Sequence, residues 1–210
     1  MKTTTCILLA GGRASRLGVL KGLFERRGEP WILHQLRALR TAGVTHAVLG
    51  LGFGSEQYFE RFPDWRTAME NWIDAEGLRL RVAINPRPEH GPFSTLKAAW
   101  AVAGSLDAAF VLPVDVPCPH PEVWRKLAGA MDGEATLVTA PYCEQTDGVT
   151  QGGHPVLLRG TLGVGTAADG SRLDVFLRAL PRESVRRVRV EDQRVLQNLN
   201  TPEDFARAAL

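Results

Sequence analysis

Short apolar runs alternate with helix-like periodicities along most of this 210-residue chain, and few folds accommodate that alternation. Residues 3–10 form an apolar run closed by Gly11 and Gly12, the pattern of a buried strand. Trp31, Leu33, Leu36, Leu39 and Ala42 then mark a helix over residues 31–42, which Gly43 stops. Residues 47–51 and 78–84 read as the next two strands, and residues 55–76 between them as one or two helices broken near Pro63. Ser94 is placed to cap a helix running to residue 103, and residues 108–114 are a fourth apolar strand. A helix at 121–130 and a strand at 135–140 follow. Beyond this the pattern weakens into a short strand at 155–158, a glycine-rich loop at 160–170, a helix at 171–180 and a strand at 185–190 that alternates Val with Arg. The last helix opens on Thr201-Pro202-Glu203-Asp204: an N-cap hydroxyl, a proline in the first turn, and two carboxylates at the positive end of the helix dipole.

Strands alternating with helices build a mostly parallel mixed sheet covered on both faces, an α/β three-layer sandwich. No repeat, low-complexity tract or Pro/Ser-rich linker divides the chain, so a single domain over residues 1–210 is expected. In open sheets of this kind ligands bind at the carboxyl ends of the strands. The chemistry-bearing segments of this sequence fall mostly at such ends.

The first is the loop after the first strand, Gly11-Gly12-Arg13-Ala14-Ser15-Arg16-Leu17-Gly18-Val19-Leu20-Lys21. It is neither a Walker A loop nor a dinucleotide fingerprint, because the glycine spacing fits neither. Its composition is nevertheless that of a phosphate cradle. Gly11, Gly12 and Gly18 allow backbone N–H groups to approach an anion. Arg13 and Arg16 can grip phosphate oxygens bidentately, and Lys21 adds a point charge. The competing reading is a solvated basic loop with structural glycines. The second segment is Val111-Leu112-Pro113-Val114-Asp115-Val116-Pro117, an apolar strand ending in a carboxylate. Asp115 is either a turn residue, favoured by the flanking prolines, or a ligand holding Mg²⁺ against phosphate oxygens.

The pattern LAGGxxSRxGxxK, continued by Gly22-Leu23-Phe24 and Gly28-Glu29-Pro30, resembles the opening signature of the MobA-like NTP transferases, which include enzymes that attach GMP or CMP to molybdopterin. The resemblance implies a Rossmann-like, nucleotide-diphospho-sugar transferase (GT-A type) fold. It implies that Leu9, Ala10, Gly11, Gly12, Arg16 and Lys21 bind the NTP, with Leu9 and Ala10 near the base. Asp115 would hold Mg²⁺ at a strand end reading D-x-P, although Val114 stands where the family usually has Gly. Asn198-Leu199-Asn200-Thr201-Pro202-Glu203-Asp204 is similar to the C-terminal signature of the guanylyltransferase branch. There Asn198 would face the acceptor and Asn200 would help Asp115 hold the metal; taken alone, the same segment is an ordinary turn before a capped helix. Asn85-Pro86 through Gly91-Pro92-Phe93-Ser94 resembles the family's base-binding loop, which places Gly91 and Ser94 at the nucleotide. Gly153-His154-Pro155-Val156-Leu157 and Asp169-Gly170-Ser171-Arg172 resemble the cytidylyltransferase branch instead, and imply acceptor contacts from His154 and Arg172. The likeness is firmest at the two ends of the chain, and the branches are mixed.

The activity so implied is transfer of a nucleoside monophosphate from GTP or CTP to a phosphorylated, molybdopterin-type acceptor, with Arg16, Lys21 and Asp115 as the catalytic set and Mg²⁺ as cofactor. A sugar-phosphate nucleotidyltransferase is the rival of the same class, and a non-catalytic nucleotide-binding protein the rival of another. Lys and Arg number 25 against 23 Asp and Glu, interspersed, so charge makes no case for a nucleic-acid or membrane partner. Cys6, Cys118 and Cys143 form no metal-binding spacing and read as reduced thiols of a cytoplasmic protein. The first apolar run is too short for a signal peptide or a membrane span. A monomer or weak homo-oligomer is expected. Three further features read as structural: Gly50 to Ser55 as a strand–helix loop, Tyr58, Phe59, Phe62, Trp65 and Trp72 as core or interface packing, and Arg186, Arg187 and Arg189 as a solvated strand face.

Overall fold

The computed structural model describes residues 4–13, 17–145, 148–162, 164 and 173–208. Four parallel strands form its centre: β1 (Thr5–Ala10), β4 (His46–Leu51), β6 (Leu78–Ile84) and β7 (Ala108–Pro113). A small antiparallel hairpin, β2 (Glu25–Arg26) with β3 (Glu29–Pro30), lies apart from them. Around the centre are β5 (Ile73–Ala75), β8 (Val138–Glu144), β9 (Thr150–Gly152), β10 (Val156–Arg159) and β11 (Val185–Arg189). The main sheet has nine strands in the order β11-β8-β10-β7-β1-β4-β6-β5, with β9 paired to β8. β10 runs antiparallel to both β7 and β8, β9 to β8 and β5 to β6, so the sheet is more mixed than alternation alone suggests.

The helices are α1 (Trp31–Thr41), α2 (Ser55–Arg61), α3 (Pro92–Ala103), α4 (Pro121–Ala130), α5 (Leu173–Arg178) and α6 (Pro202–Arg207). Side chains of a strand alternate between faces, and β1 feeds both. Cys6, Leu8 and Ala10 pack with Trp31, Leu36 and Leu39 of α1, Trp124 and Leu127 of α4 and Phe205 of α6. Ile7 packs on the opposite face with Phe93, Leu96, Ala99 and Trp100 of α3, and Phe176 of α5 lies against the same cluster. Both faces are therefore covered, which is why β1, β4 and β7 read as nearly continuous apolar runs, while β6 carries Arg79 and Arg81.

Several boundaries differ from the sequence reading for local physical reasons. Residues 73–75 are a strand, not the end of a helix. Glu76 and Gly77 both have positive φ, 51° and 73°, and form the two-residue turn that folds β5 back on β6. Arg27 and Gly28, at 55° and 79°, do the same for β2 and β3. The helix expected to start at Ser94 begins at Pro92, with Gly91 at the N-cap (φ 87°). Its proline occupies the first helical position, where no N–H is needed. The strand expected at 135–140 runs from Val138 to Glu144 and turns back into β9. Thr201 caps α6 as expected: its side chain accepts from the Asp204 N–H, and the Asp204 carboxylate accepts from the N–H groups of Asn200 and Thr201.

Candidate active site

The carboxyl ends of β1 and β7 open into a cleft of about 730 Å³, within the range of small-ligand sites. Its wall includes Leu9, Ala10, Gly11 and Gly12 from the end of β1, Lys21, and Asp115 beyond the end of β7. His154, Asn198 and Gly91 also line it. Residues distant in sequence are thus gathered where the topology places ligands.

At the polar part of this cleft the Lys21 ammonium donates to Asp115 Oδ2 at 2.6 Å and to Asn200 Oδ1 at 2.8 Å. The side chains of Lys21 and Asp115 are 25% and 22% exposed, so incoming ligands can reach the pair. Asn200 is oriented before it meets Lys21. Its amide nitrogen donates to the Asn198 carbonyl at 3.0 Å, which turns Oδ1 toward the lysine, and its backbone N–H is fixed by Asp204 at 2.9 Å. A carboxylate oxygen and an amide oxygen therefore converge on one cationic centre. Both are hard donors of the kind Mg²⁺ takes, and Mg²⁺ commonly uses one or two protein oxygens and completes its shell with water and phosphate. Among the described residues no group of three or more His, Cys, Asp or Glu side chains is placed to hold a metal alone.

His154 enters the same cleft from the segment just before β10. Its backbone N–H donates to Val195 at 2.9 Å. Its Nδ1 is buried without a hydrogen-bond partner. Burial pushes the imidazole below its usual pKa, and the nearby Asp115 and the Val111 carbonyl oppose that shift.

Gly11 of the loop and Gly52 after β4 act by close approach. A side chain on Gly11 would meet the hydroxyl and methyl of Thr95 and the Gly52 N–H, and one on Gly52 would meet the Gly11 carbonyl and Pro88. The end of β1 and the loop after β4 thus touch backbone to backbone, with the Thr95 side chain of α3 packed against the same corner. Asn85 holds the start of α3 in place: its amide donates to Ser94 at 2.7 Å and Thr95 at 3.0 Å while its oxygen accepts from Arg87 N–H. Ser94 in turn donates to the Gly91 carbonyl at 2.7 Å, with the Arg87 carbonyl 3.2 Å away, so it ties the loop together, and Thr95 is the residue of that pair lining the cleft.

The structure brings together Leu9, Ala10, Gly11, Gly12, Lys21, Gly91, Asp115, His154, Asn198 and Asn200. Arg16 and Arg172 lie outside the described residues. Sequence reasoning set Phe53 aside, yet it lines the cleft with the Arg13 guanidinium 4.4 Å from its ring centroid. The signal was its position in the loop directly after the second strand, a carboxyl end like the others.

Such a fold, with a glycine-cornered loop after the first strand facing a carboxylate beyond a neighbouring one, defines a nucleotidyltransferase-type α/β domain. A nucleotidyl transferase from Methanothermobacter thermautotroptrophicus superimposes with a TM-score of 0.71 at 21% identity, over 99% of this chain and 96% of that one. The chain belongs to the MobA-like NTP transferase domain family, whose model matches residues 6–188. A molybdenum cofactor guanylyltransferase from Xanthomonas euvesicatoria pv. vesicatoria is 27% identical over 207 residues, 97% of this chain and 93% of that protein. A mannose-1-phosphate guanyltransferase from Kluyveromyces lactis is 32% identical over 147 residues, 66% of this chain. The chain spans only 38% of the length of that relative.

Proposed function

We propose that the chain is a Mg²⁺-dependent nucleotidyltransferase that moves GMP from GTP onto a phosphorylated small molecule of the molybdopterin type, releasing pyrophosphate. The observation that carries this reading is the convergence of Asp115 and Asn200 oxygens on the Lys21 ammonium, in a cleft bordered by the Gly11–Gly12 corner. Match length favours a molybdopterin-type acceptor over a sugar phosphate: the molybdenum cofactor relative matches nearly end to end, the mannose-1-phosphate relative over part of its length. Both relatives are named as guanylyl enzymes, which favours GTP over CTP.

In this reading Gly11 and Gly12 present backbone to the triphosphate, and Lys21 and Arg16 neutralise it. An acceptor phosphate oxygen attacks the α-phosphorus, the bond from that phosphorus to the bridging oxygen breaks, and pyrophosphate leaves with the electron pair. A phosphate nucleophile is already ionised, so no general base is needed, and catalysis is positioning and charge neutralisation. Asp115 and Asn200 would hold Mg²⁺, which when bound supplies further neutralisation of the phosphate oxygens. His154 and Asn198, which line the cleft, and Arg172 would orient the acceptor. Acceptor-dependent pyrophosphate release from GTP, compared between molybdopterin and mannose 1-phosphate and between Mg²⁺ and EDTA, tests the assignment. GTP binding without any release would favour a non-catalytic nucleotide-binding protein.

A further inference from the structure

Asp115 sits in a turn whose backbone is held from several separate parts of the chain. The Val114 N–H donates to the Leu9 carbonyl at 2.9 Å, from the end of β1. The Val116 N–H closes the turn on Pro113 at 3.1 Å, and the Asp115 carbonyl accepts the Leu199 N–H at 2.7 Å, from the segment that carries Asn198 and Asn200. The remaining inward-facing groups are met by one side chain of α1. Gln35, 1% exposed, donates to the carbonyls of Val114 at 3.2 Å and Val116 at 2.7 Å, and its oxygen accepts the Cys118 N–H at 3.0 Å. The Trp31 indole N–H, one helical turn earlier, adds a second bond to the Val114 carbonyl at 2.7 Å.

A glutamine buried on the apolar face of a helix is costly unless its amide is satisfied, and here it is satisfied only by the turn. An amide offers two donors and an acceptor in one plane, and the backbone on either side of Asp115 consumes both kinds. We infer that Gln35, assisted by Trp31, is a positioning residue for Asp115: it fixes the carbonyls immediately before and after that residue, and so fixes where the carboxylate points. This rests on the reading of Asp115 as the metal-holding carboxylate. Residues that orient a metal ligand typically change metal affinity by about 10–100-fold when replaced.

The test is a Mn²⁺ titration followed by electron paramagnetic resonance, on protein saturated with α,β-methylene GTP, which cannot be cleaved at the reacting bond. Gln35→Met should weaken Mn²⁺ binding about tenfold, and Trp31→Phe should weaken it less, in the same direction. Leu127→Ala, which hollows the core under α4, should lower the melting temperature and leave Mn²⁺ affinity as in the wild type. Asp115→Asn is the reference. If it binds Mn²⁺ normally, the metal reading falls and this inference with it. If Asp115→Asn loses the ion while Gln35→Met does not, the positioning role alone is overturned. Should Gln35→Met not fold, Trp31→Phe decides, and unchanged Mn²⁺ affinity there overturns the inference.

Discussion

Lys21 is tied to two oxygens that a metal ion would also need. Under the proposed function, nucleotide phosphates would draw the ammonium away and free Asp115 and Asn200. Lys21→Met should therefore act in opposite directions on two ligands. It should weaken GTP binding by roughly tenfold, the scale of one charge-assisted hydrogen bond, and strengthen Mn²⁺ binding to the nucleotide-free protein. Calorimetry of each ligand separately checks this, and a parallel loss of both affinities would contradict it. His154 gives a pH prediction. Its folded pKa is depressed by burial, so the unfolded chain binds a proton more readily as pH falls below its ordinary value of 6.5. Stability should be full above that value and decline through pH 6 toward pH 5. His46, depressed by burial and by Arg79, contributes in the same sense. His154→Gln should flatten the decline of the urea midpoint between pH 7 and pH 5; an unchanged slope would assign it elsewhere. Lys21 and Asp115 could be picked from the sequence because the glycine-rich loop after the first strand and the D-x-P strand end resemble a family signature; by itself Asp115 was equally readable as a turn residue. Gln35 could not, since nothing in a helical pattern says that one buried amide faces a turn some eighty residues later.

At the scale of elements, α6 is short but anchors one side of the cleft. Its Phe205 is fully buried, stacked on Phe24 at 4.5 Å and edge-on to Trp31 at 5.4 Å. The capping box that starts it also fixes Asn200, through the Asp204 carboxylate. Thr201→Ala should cost about 1 kcal/mol of stability and raise the KM for GTP more than it lowers kcat, because it loosens Asn200 without touching the reacting atoms. Unfolding curves and steady-state kinetics measure the two effects. The cap was legible because Thr-Pro-Glu-Asp states it in four residues. The β2–β3 and β5–β6 hairpins were not: their turns are Arg27-Gly28 and Glu76-Gly77, and neither first residue belongs to the Asn or Asp types that usually advertise such a turn. β5 was consequently read as helix, although its turn and antiparallel register with β6 settle it as an edge strand.

Across the whole molecule, the parallel centre was readable because β1, β4 and β7 are buried on both faces and leave nearly continuous apolar runs, and β6 alternates. The mixed flank of β8, β9, β10 and β11 was harder, because its outer strands are largely exposed and carry polar residues such as Thr150, Gln151, Arg186, Arg187 and Arg189. That flank matters to the site: His154 lies two residues before β10, and the chain leaving β11 leads to Asn198 and Asn200. The cleft is thus built from the readable half of the sheet on one side and the less readable half on the other. The central claim is that this cleft performs GMP transfer with Asp115 as its indispensable carboxylate. Its most direct test is formation of ³²P-labelled dinucleotide from α-³²P-GTP and molybdopterin, with Mg²⁺, by wild-type protein and by Asp115→Asn. The expected result is acceptor-dependent product and pyrophosphate in equal amounts from the wild type, and a loss of about 100-fold or more in the variant. Near-wild-type turnover by Asp115→Asn, or bound GTP that never yields product, would contradict it.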